Sequence, residues 1–202
     1  MMLEARDISF GYSDRRLYDG LSLSFAPDER VALSAPSGFG KSTLCRILAG
    51  YEKPWSGQVL VDGYPLPKPG RGAALPVQLI LQHPETAVDP RLRMRKTLAQ
   101  AGEVPERIIE GLGIRETWMT RFPHELSGGE LQRFCIARAL AAKPKYLVAD
   151  EISTMLDSVT QAQIWRFLLS ECREQGIGLV LVSHSPALTQ RVATRVVDLA
   201  SL

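Results

Sequence analysis

Long apolar runs are missing from this 202-residue chain, and cysteine, histidine and net charge are all scarce. No window approaches the roughly 20 consecutive apolar residues that a membrane-spanning helix needs, so any membrane role would come through a partner. The N-terminal residues MMLEARD lack the apolar core of a secretory signal, which leads us to expect a cytoplasmic chain. The three cysteines, Cys45, Cys135 and Cys172, lie far apart. Their spacing fits neither a zinc site nor a disulfide framework, and they read as small buried hydrophobes in a reducing compartment. The three histidines, His83, His124 and His184, are equally scattered. A net charge of +2 with a pI near 8.5 is too mild to argue for a nucleic-acid partner, which calls for a basic stripe and a higher pI. A hydrophobic content of 45% is enough for one substantial core.

Against that plain background residues 31–43, VALSAPSGFGKST, stand out. A short apolar run suited to a buried parallel strand leads into a glycine-containing loop, and the residues that follow suit a helix. Small residues at Ser37, Gly38 and Gly40 let backbone N–H groups curl around a polyphosphate, with the helix dipole facing the anion. Lys41 would reach the β- and γ-phosphates of a nucleotide, the Ser42 hydroxyl would ligate Mg²⁺, and Thr43 completes the binding set. The pattern G-x-x-x-x-G-K-[ST] holds except at Ala35, which replaces the first glycine. Alanine loses easy access to positive φ, so the turn must work with φ below zero or carry slight strain.

Residues 3–10 alternate as a half-buried strand does, residues 11–14 break the pattern, and residues 21–25 alternate again before Pro27-Asp28-Glu29 turns the chain. Tyr12, at the strand end, is placed to stack on an adenine ring. Residues 58–61 read as a short strand, Asp62-Gly63 as a hairpin turn, residues 65–72 as a surface loop, and residues 77–81 as an apolar strand ending at Gln82. Short helices are expected over residues 89–101, 105–112 and 116–122. The first of them carries Arg91, Arg93, Arg95 and Lys96, a cluster that by itself reads as a solvated face. Residues 126–133, LSGGELQR, lead into a helical run that Pro144 ends. Residues 146–149 then form a buried strand that delivers Asp150-Glu151 to its C-terminal end, where ligands of open α/β sheets bind. There Asp150 can hold Mg²⁺ and Glu151 can polarise an attacking water. An amphipathic helix over 156–174, with Ile164, Phe167 and Leu168 on one face, precedes strands at 179–183, ending in His184, and at 195–199.

Taken together, these motifs resemble the ATP-binding cassette (ABC) ATPases, and the likeness covers nearly the whole chain. Ser127-Gly128-Gly129-Glu130-Leu131-Gln132 looks like the family signature, and Gln82, Asp150-Glu151, Asp157 and His184 follow the family's order and approximate spacing. The resemblance implies an α/β fold: a P-loop NTPase (ABC ATPase) core with an antiparallel β subdomain and an inserted α-helical subdomain. The implied organisation is a single domain, with residues 1–82 and 144–202 as the nucleotide-binding core and 83–143 as the helical subdomain. It further implies a head-to-tail dimer with a second ABC ATPase subunit, identical or not, in which ATP and Mg²⁺ are clamped between the phosphate loop of one subunit and the signature of the other. Ser127, Gly128 and Gly129 would then cap the γ-phosphate, Gln82 would touch Mg²⁺ and the attacking water, His184 would hydrogen-bond the γ-phosphate, Asp157 would cross the dimer interface, and Tyr12 would stack on adenine. Ile152 stands where the family usually has proline, and Phe39 occupies a commonly small position; neither removes a catalytic group.

Residues 82–90, QHPETAVDP, and Glu130-Leu-Gln-Arg133 resemble the ATPases of peptide and nickel importers. Those subunits commonly continue beyond the point at which this sequence stops. That resemblance also implies a groove beside the glutamine segment that accepts a short helix of the membrane subunit, with Leu92 and Met94 as its apolar lining and Arg91, Arg93 and Arg95 as its rim. The implied role is an ATP-hydrolysing subunit that powers peptide or nickel uptake from the inner face of the cell membrane, partnered by transmembrane permease subunits and, indirectly, an extracytoplasmic substrate-binding protein. A soluble ABC-type ATPase of phosphonate metabolism is the alternative. A chromosome or repair ATPase would need long coiled coils or basic surfaces, and the sequence has neither.

Overall fold

The computed structural model describes residues 2–13, 15–68, 74–154 and 156–202. The loop expected over 65–72 therefore lies, from residue 69 on, outside the described residues, as does Asp14 of the expected turn.

Among the described residues, two sheets organise the fold. In the first, β1 (Leu3–Tyr12) pairs antiparallel with β2 (Arg15–Phe25) and with β4 (Ser56–Val61), which turns at Asp62-Gly63 into β5 (Tyr64–Pro65). Both turn residues have positive φ, 56° and 81°, as a two-residue hairpin requires. The buried positions of β1 change phase, from Leu3 and Ala5 to Ile8 and Phe10. A register shift between Ala5 and Ile8 accounts for this, with Asp7 at φ 51° and its N–H satisfied by Ser22 Oγ at 2.9 Å. The bulge lets one strand keep its apolar side inward across a break in alternation.

The second sheet is wholly parallel, in the order β6 (Val77–Ile80), β7 (Tyr146–Asp150), β8 (Gly178–Val182), β3 (Arg30–Ser34) and β9 (Arg195–Asp198). Alternate residues serve different cores, as the pleat demands. Val31, Leu33, Val148, Val180 and Val182 join the cluster under the antiparallel sheet and α1 (Lys41–Leu48). Ala32, Leu147, Ala149, Leu179 and Leu181 join the cluster on the opposite face, with α5 (Gly128–Ala141) and α6 (Ser158–Gln175). Between β6 and β7 the chain forms α2 (Met94–Ala99), α3 (Glu106–Gly111), α4 (Glu116–Met119) and α5; α7 (Pro186–Val192) follows β8. Cys45, Cys135 and Cys172 are buried free thiols inside helices, and burial pushes Cys135 up to about 11 and Cys172 up to about 12.

The helix expected from residue 89 starts later. The Asp89 carboxylate accepts from the Arg91 backbone N–H at 2.9 Å and from Arg91 Nε at 3.0 Å, a side-chain turn that competes with helical bonding. Arg93 stays extended at ψ 151°, and α2 begins only at Met94. Met94 is also wholly buried in the core, so it cannot line an accessible groove. Arg91 pairs with Asp89, Arg93 stacks its guanidinium 4.5 Å from the Phe122 ring centroid, and Arg95 pairs with Glu116. These arginines serve local structure on an exposed face.

Candidate functional site

At the C-terminal ends of β3, β7 and β8, the tip of the β1–β2 hairpin closes an open cleft of about 470 Å³. Tyr12, Ser37, Gly38, Gly40, Lys41, Ser42, Thr43, Glu151 and His184 line it, together with Arg15 and Leu17, which the sequence reading did not single out. The signal that could have found them is the hairpin itself, whose ladder sets Arg15 directly opposite Tyr12.

The loop from β3 to α1 carries its left-handed backbone at Gly38 (φ 74°) and Gly40 (φ 104°), while Ala35 has no positive φ. The expected first glycine is therefore not required at Ala35. A Cβ at Gly40 would also lie 3.0 Å from Tyr18 Oη, so conformation and space both call for glycine there. Lys41 Nζ donates to the carbonyls of Ala35 at 2.7 Å and Pro36 at 3.1 Å, which folds its ammonium over the loop. Phe39 packs partly against the core beneath the antiparallel sheet, so a bulky residue fits that position.

Across the cleft, Ser42 Oγ donates to Asp150 Oδ1 at 3.0 Å. Burial raises the Asp150 carboxyl above the usual carboxylate range, which the Ser42 bond opposes only in part. Glu151 is the first residue past β7 and sits at φ 51°. A non-glycine residue in this region carries strain of about 1–3 kcal/mol. Its N–H donates to the Val182 carbonyl at 3.1 Å, continuing the ladder to β8 and holding that conformation. One carboxylate oxygen lies 2.7 Å from His184 Nε2 and the other accepts from Gln82 Nε2 at 3.0 Å. Two side chains, each just past the end of a strand flanking β7, thus fix one carboxylate. Ile152 is buried in the core on the α5 and α6 side, so at this position an apolar anchor stands where proline was expected.

Ser42 Oγ and Asp150 Oδ1 are neighbouring oxygen donors, and Gln82 uses its amide N–H₂ toward Glu151, which leaves its oxygen as an acceptor. Such a hard-oxygen set suits Mg²⁺, and the glycine cradle with its lysine suits a polyphosphate.

Ser127, Gly128 and Gly129 do not line this cleft. They begin α5, where Ser127 Oγ accepts from the Glu130 N–H at 3.2 Å and Glu130 Oε2 accepts from the Ser127 N–H at 2.8 Å. This reciprocal cap leaves the Ser127 hydroxyl hydrogen free to donate elsewhere. Asp157 caps α6, accepting from the N–H groups of Val159 and Thr160 at 3.0 Å, and these bonds lower its pKa.

A family model described as ABC transporter matches residues 18–154. The nickel import ATP-binding protein NikE of Brucella abortus is 40% identical over 191 residues, which cover 87% of this chain and 72% of that protein. An uncharacterized ABC transporter ATP-binding protein of Mycobacterium tuberculosis is 36% identical over 203 residues, 94% of this chain and 81% of its own length. The glutathione import ATP-binding protein GsiA of Salmonella typhimurium is 35% identical over 195 residues, 88% of this chain, but the chain spans only 31% of that protein. Among solved structures, a dimeric ATP-binding cassette in a post-hydrolysis state, bound to ADP and Pi, superposes with a TM-score of 0.82 at 22% identity, covering 97% of this chain and 93% of that one; at that identity the likeness establishes the fold. With a phosphate loop on β3, an acidic pair ending β7 and a family match across both, the chain belongs to the ABC transporter family of ATP-binding proteins.

Proposed function

We propose that the chain is the ATP-hydrolysing subunit of an importer of the peptide or nickel type, working as a dimer on the inner face of the membrane. The observation that carries the ATPase reading is the Glu151 carboxylate, held by Gln82 and His184 at the mouth of the Lys41 cleft. In this reading Tyr12 stacks on the base, while the Gly38 and Gly40 loop, Lys41, Ser42 and Thr43 hold the phosphates. Glu151 takes a proton from a water as its oxygen attacks the γ-phosphorus and the bond to the β-phosphate oxygen breaks; the two side chains that fix the carboxylate orient it for that transfer. Mg²⁺, held by Ser42, Asp150 and Gln82, supplies charge neutralisation on the phosphates. The signature residues Ser127, Gly128 and Gly129 begin a helix away from the cleft, so a second subunit supplies their counterpart. The chain functions as one unit, with residues 1–82 and 144–202 as core and 83–143 as helical subdomain.

The import reading rests on the likeness to the nickel import protein and on a groove beside Gln82. That groove, of about 340 Å³, runs between β6 and α5 and is lined by Leu79, Leu81, Ala87, Cys135, Ala139 and Tyr51, the last 60% exposed. It suits a short helix of a membrane subunit that inserts apolar anchors, and it takes the place of the buried Met94 in the docking element. Co-purification of the chain with transmembrane subunits from its native membrane tests this. The wild type should bring them down and Tyr51→Asp, at unchanged melting temperature, should lose them. Mg·ATP hydrolysis with no membrane partner in either case would favour the soluble alternative.

A further inference from the structure

We propose that Arg15 is a nucleotide-contact residue that binds the base-proximal end of the phosphate chain. The inference rests on reading the cleft as an ATP site. Arg15 opens β2 directly opposite Tyr12, which closes β1. Directly opposed side chains of an antiparallel pair begin about 5 Å apart, and both of these line the cleft. The guanidinium is anchored: its Nη2 donates to the Gly38 carbonyl at 2.9 Å, tying the hairpin tip to the phosphate loop. A guanidinium has five N–H donors, and the described residues account for this one bond. Neighbouring Arg16 is turned away to Asp19, at 2.6 Å.

This arrangement orders three chemistries along one wall. Tyr12 offers a ring, kept edge-on to Phe10 with centroids 5.0 Å apart, as a platform for a base. The Gly38 to Lys41 loop offers N–H groups and an ammonium for the terminal phosphates. Arg15 stands between them, opposite Tyr12 on the ladder and tied to the loop at Gly38, and brings a permanent charge to the cleft wall. A molecule with its base on Tyr12 and its terminal phosphates in the loop must pass its ribose and α-phosphate beside that guanidinium. That contact is common to ATP and ADP, in contrast to Lys41, whose reach toward the γ-phosphate favours ATP.

The test is calorimetric titration of Mg·ATP and Mg·ADP into the wild type, Arg15→Ala and Arg15→Lys at two salt concentrations. Arg15→Ala should weaken both nucleotides by a similar factor, roughly tenfold for loss of a charged hydrogen-bond donor, and should flatten the salt dependence of binding. Arg15→Lys keeps the charge without the planar fork and should fall between. Unchanged affinity for both nucleotides, with a lower melting temperature of the nucleotide-free protein, would overturn the proposal and make Arg15 a strut for Gly38. A loss confined to ATP would also overturn it, because the contact would then be with the γ-phosphate. If the wild type bound neither nucleotide, the ATP-site reading itself would fail, which no result with the variants alone could imitate.

Discussion

Replacing Glu151 with glutamine separates the chemistry of the site from its architecture. The carboxylate has two fixed neighbours, Gln82 Nε2 at 3.0 Å and His184 Nε2 at 2.7 Å. In Glu151→Gln the new side chain's Oε1 would accept from Gln82, and its amide would donate to His184 Nε2 when that ring is neutral and protonated at Nδ1. Both contacts can therefore be rebuilt with the same shape. The left-handed backbone at φ 51° is equally uncomfortable for either side chain, and the N–H bond to Val182 is unaffected. The folded protein should barely notice the change, with a melting temperature within about 2 °C of wild type, which for ~200 residues corresponds to less than about 1 kcal/mol. What disappears is the proton acceptor. Positioned general bases contribute 10²- to 10⁴-fold, so turnover should fall at least about 100-fold, a barrier increase of about 2.7 kcal/mol or more. Phosphate release in a single turnover, with ATP binding measured separately, is the assay. Retained ATP binding with slow release is the expected result; release within a fewfold of wild type would show that Glu151 is not the base.

Lys41→Ala deletes a cation already folded over the loop, and ATP affinity should drop by about 10- to 100-fold, as loss of a charged hydrogen bond implies; unchanged calorimetric affinity would refute the cradle. Asp150 gives a pH-dependent prediction. Burial raises its carboxyl pKa above the ordinary 3.8, so the folded state holds the proton more tightly than the unfolded chain. Stability is then lost as pH rises from the unfolded value through the raised one. Asp150→Asn should accordingly raise the melting temperature of the nucleotide-free protein at pH 7, with the gain shrinking toward pH 3.8, while Mg·ATP hydrolysis is lost; a lower melting temperature at pH 7 would contradict the burial argument. Gly111→Ala would drive a Cβ into the Phe167 ring across the α3–α6 contact. Overpacking of about 1–3 kcal/mol should lower the melting temperature by several degrees, and Phe167→Leu in the same chain should recover much of it.

Much of the site is readable in the sequence because its chemistry is local. The small residues and Lys41 of the loop follow one another directly, and the Asp150-Glu151 pair announces itself as two charges at the end of an apolar run. The departures at Ala35, Phe39 and Ile152 are readable as departures, but their resolution lies in packing. Phe39 and Ile152 reach hydrophobic clusters built from distant segments, and which glycine carries the left-handed turn depends on the whole loop. The misplaced start of α2 has a different origin. Asp89 bonds the next-but-one N–H through its side chain, and a period count over residues 89–101 does not register that competition. Met94 fits an exposed apolar ridge as well as a core by sequence, and only the covering helices decide between them. Arg15 gives no signal of its own because its partner, Gly38, is 23 residues away in sequence.

The order of the parallel strands has an electrostatic consequence. The strand leading to Lys41 and the strand ending in Glu151 are not neighbours, because β8 lies between them. With strands about 4.8 Å apart, their ends are separated by about 9.6 Å. Side by side, an ammonium and a carboxylate at adjacent strand ends would ion-pair and spend each other's charge. Kept two strands apart, Lys41 settles on loop carbonyls and Glu151 on Gln82 and His184, all contacts that a substrate can displace or share. Neither charge is spent on the other: the ammonium rests on neutral carbonyls and the carboxylate on an amide and an imidazole, so both stand in reserve on the walls of one cleft.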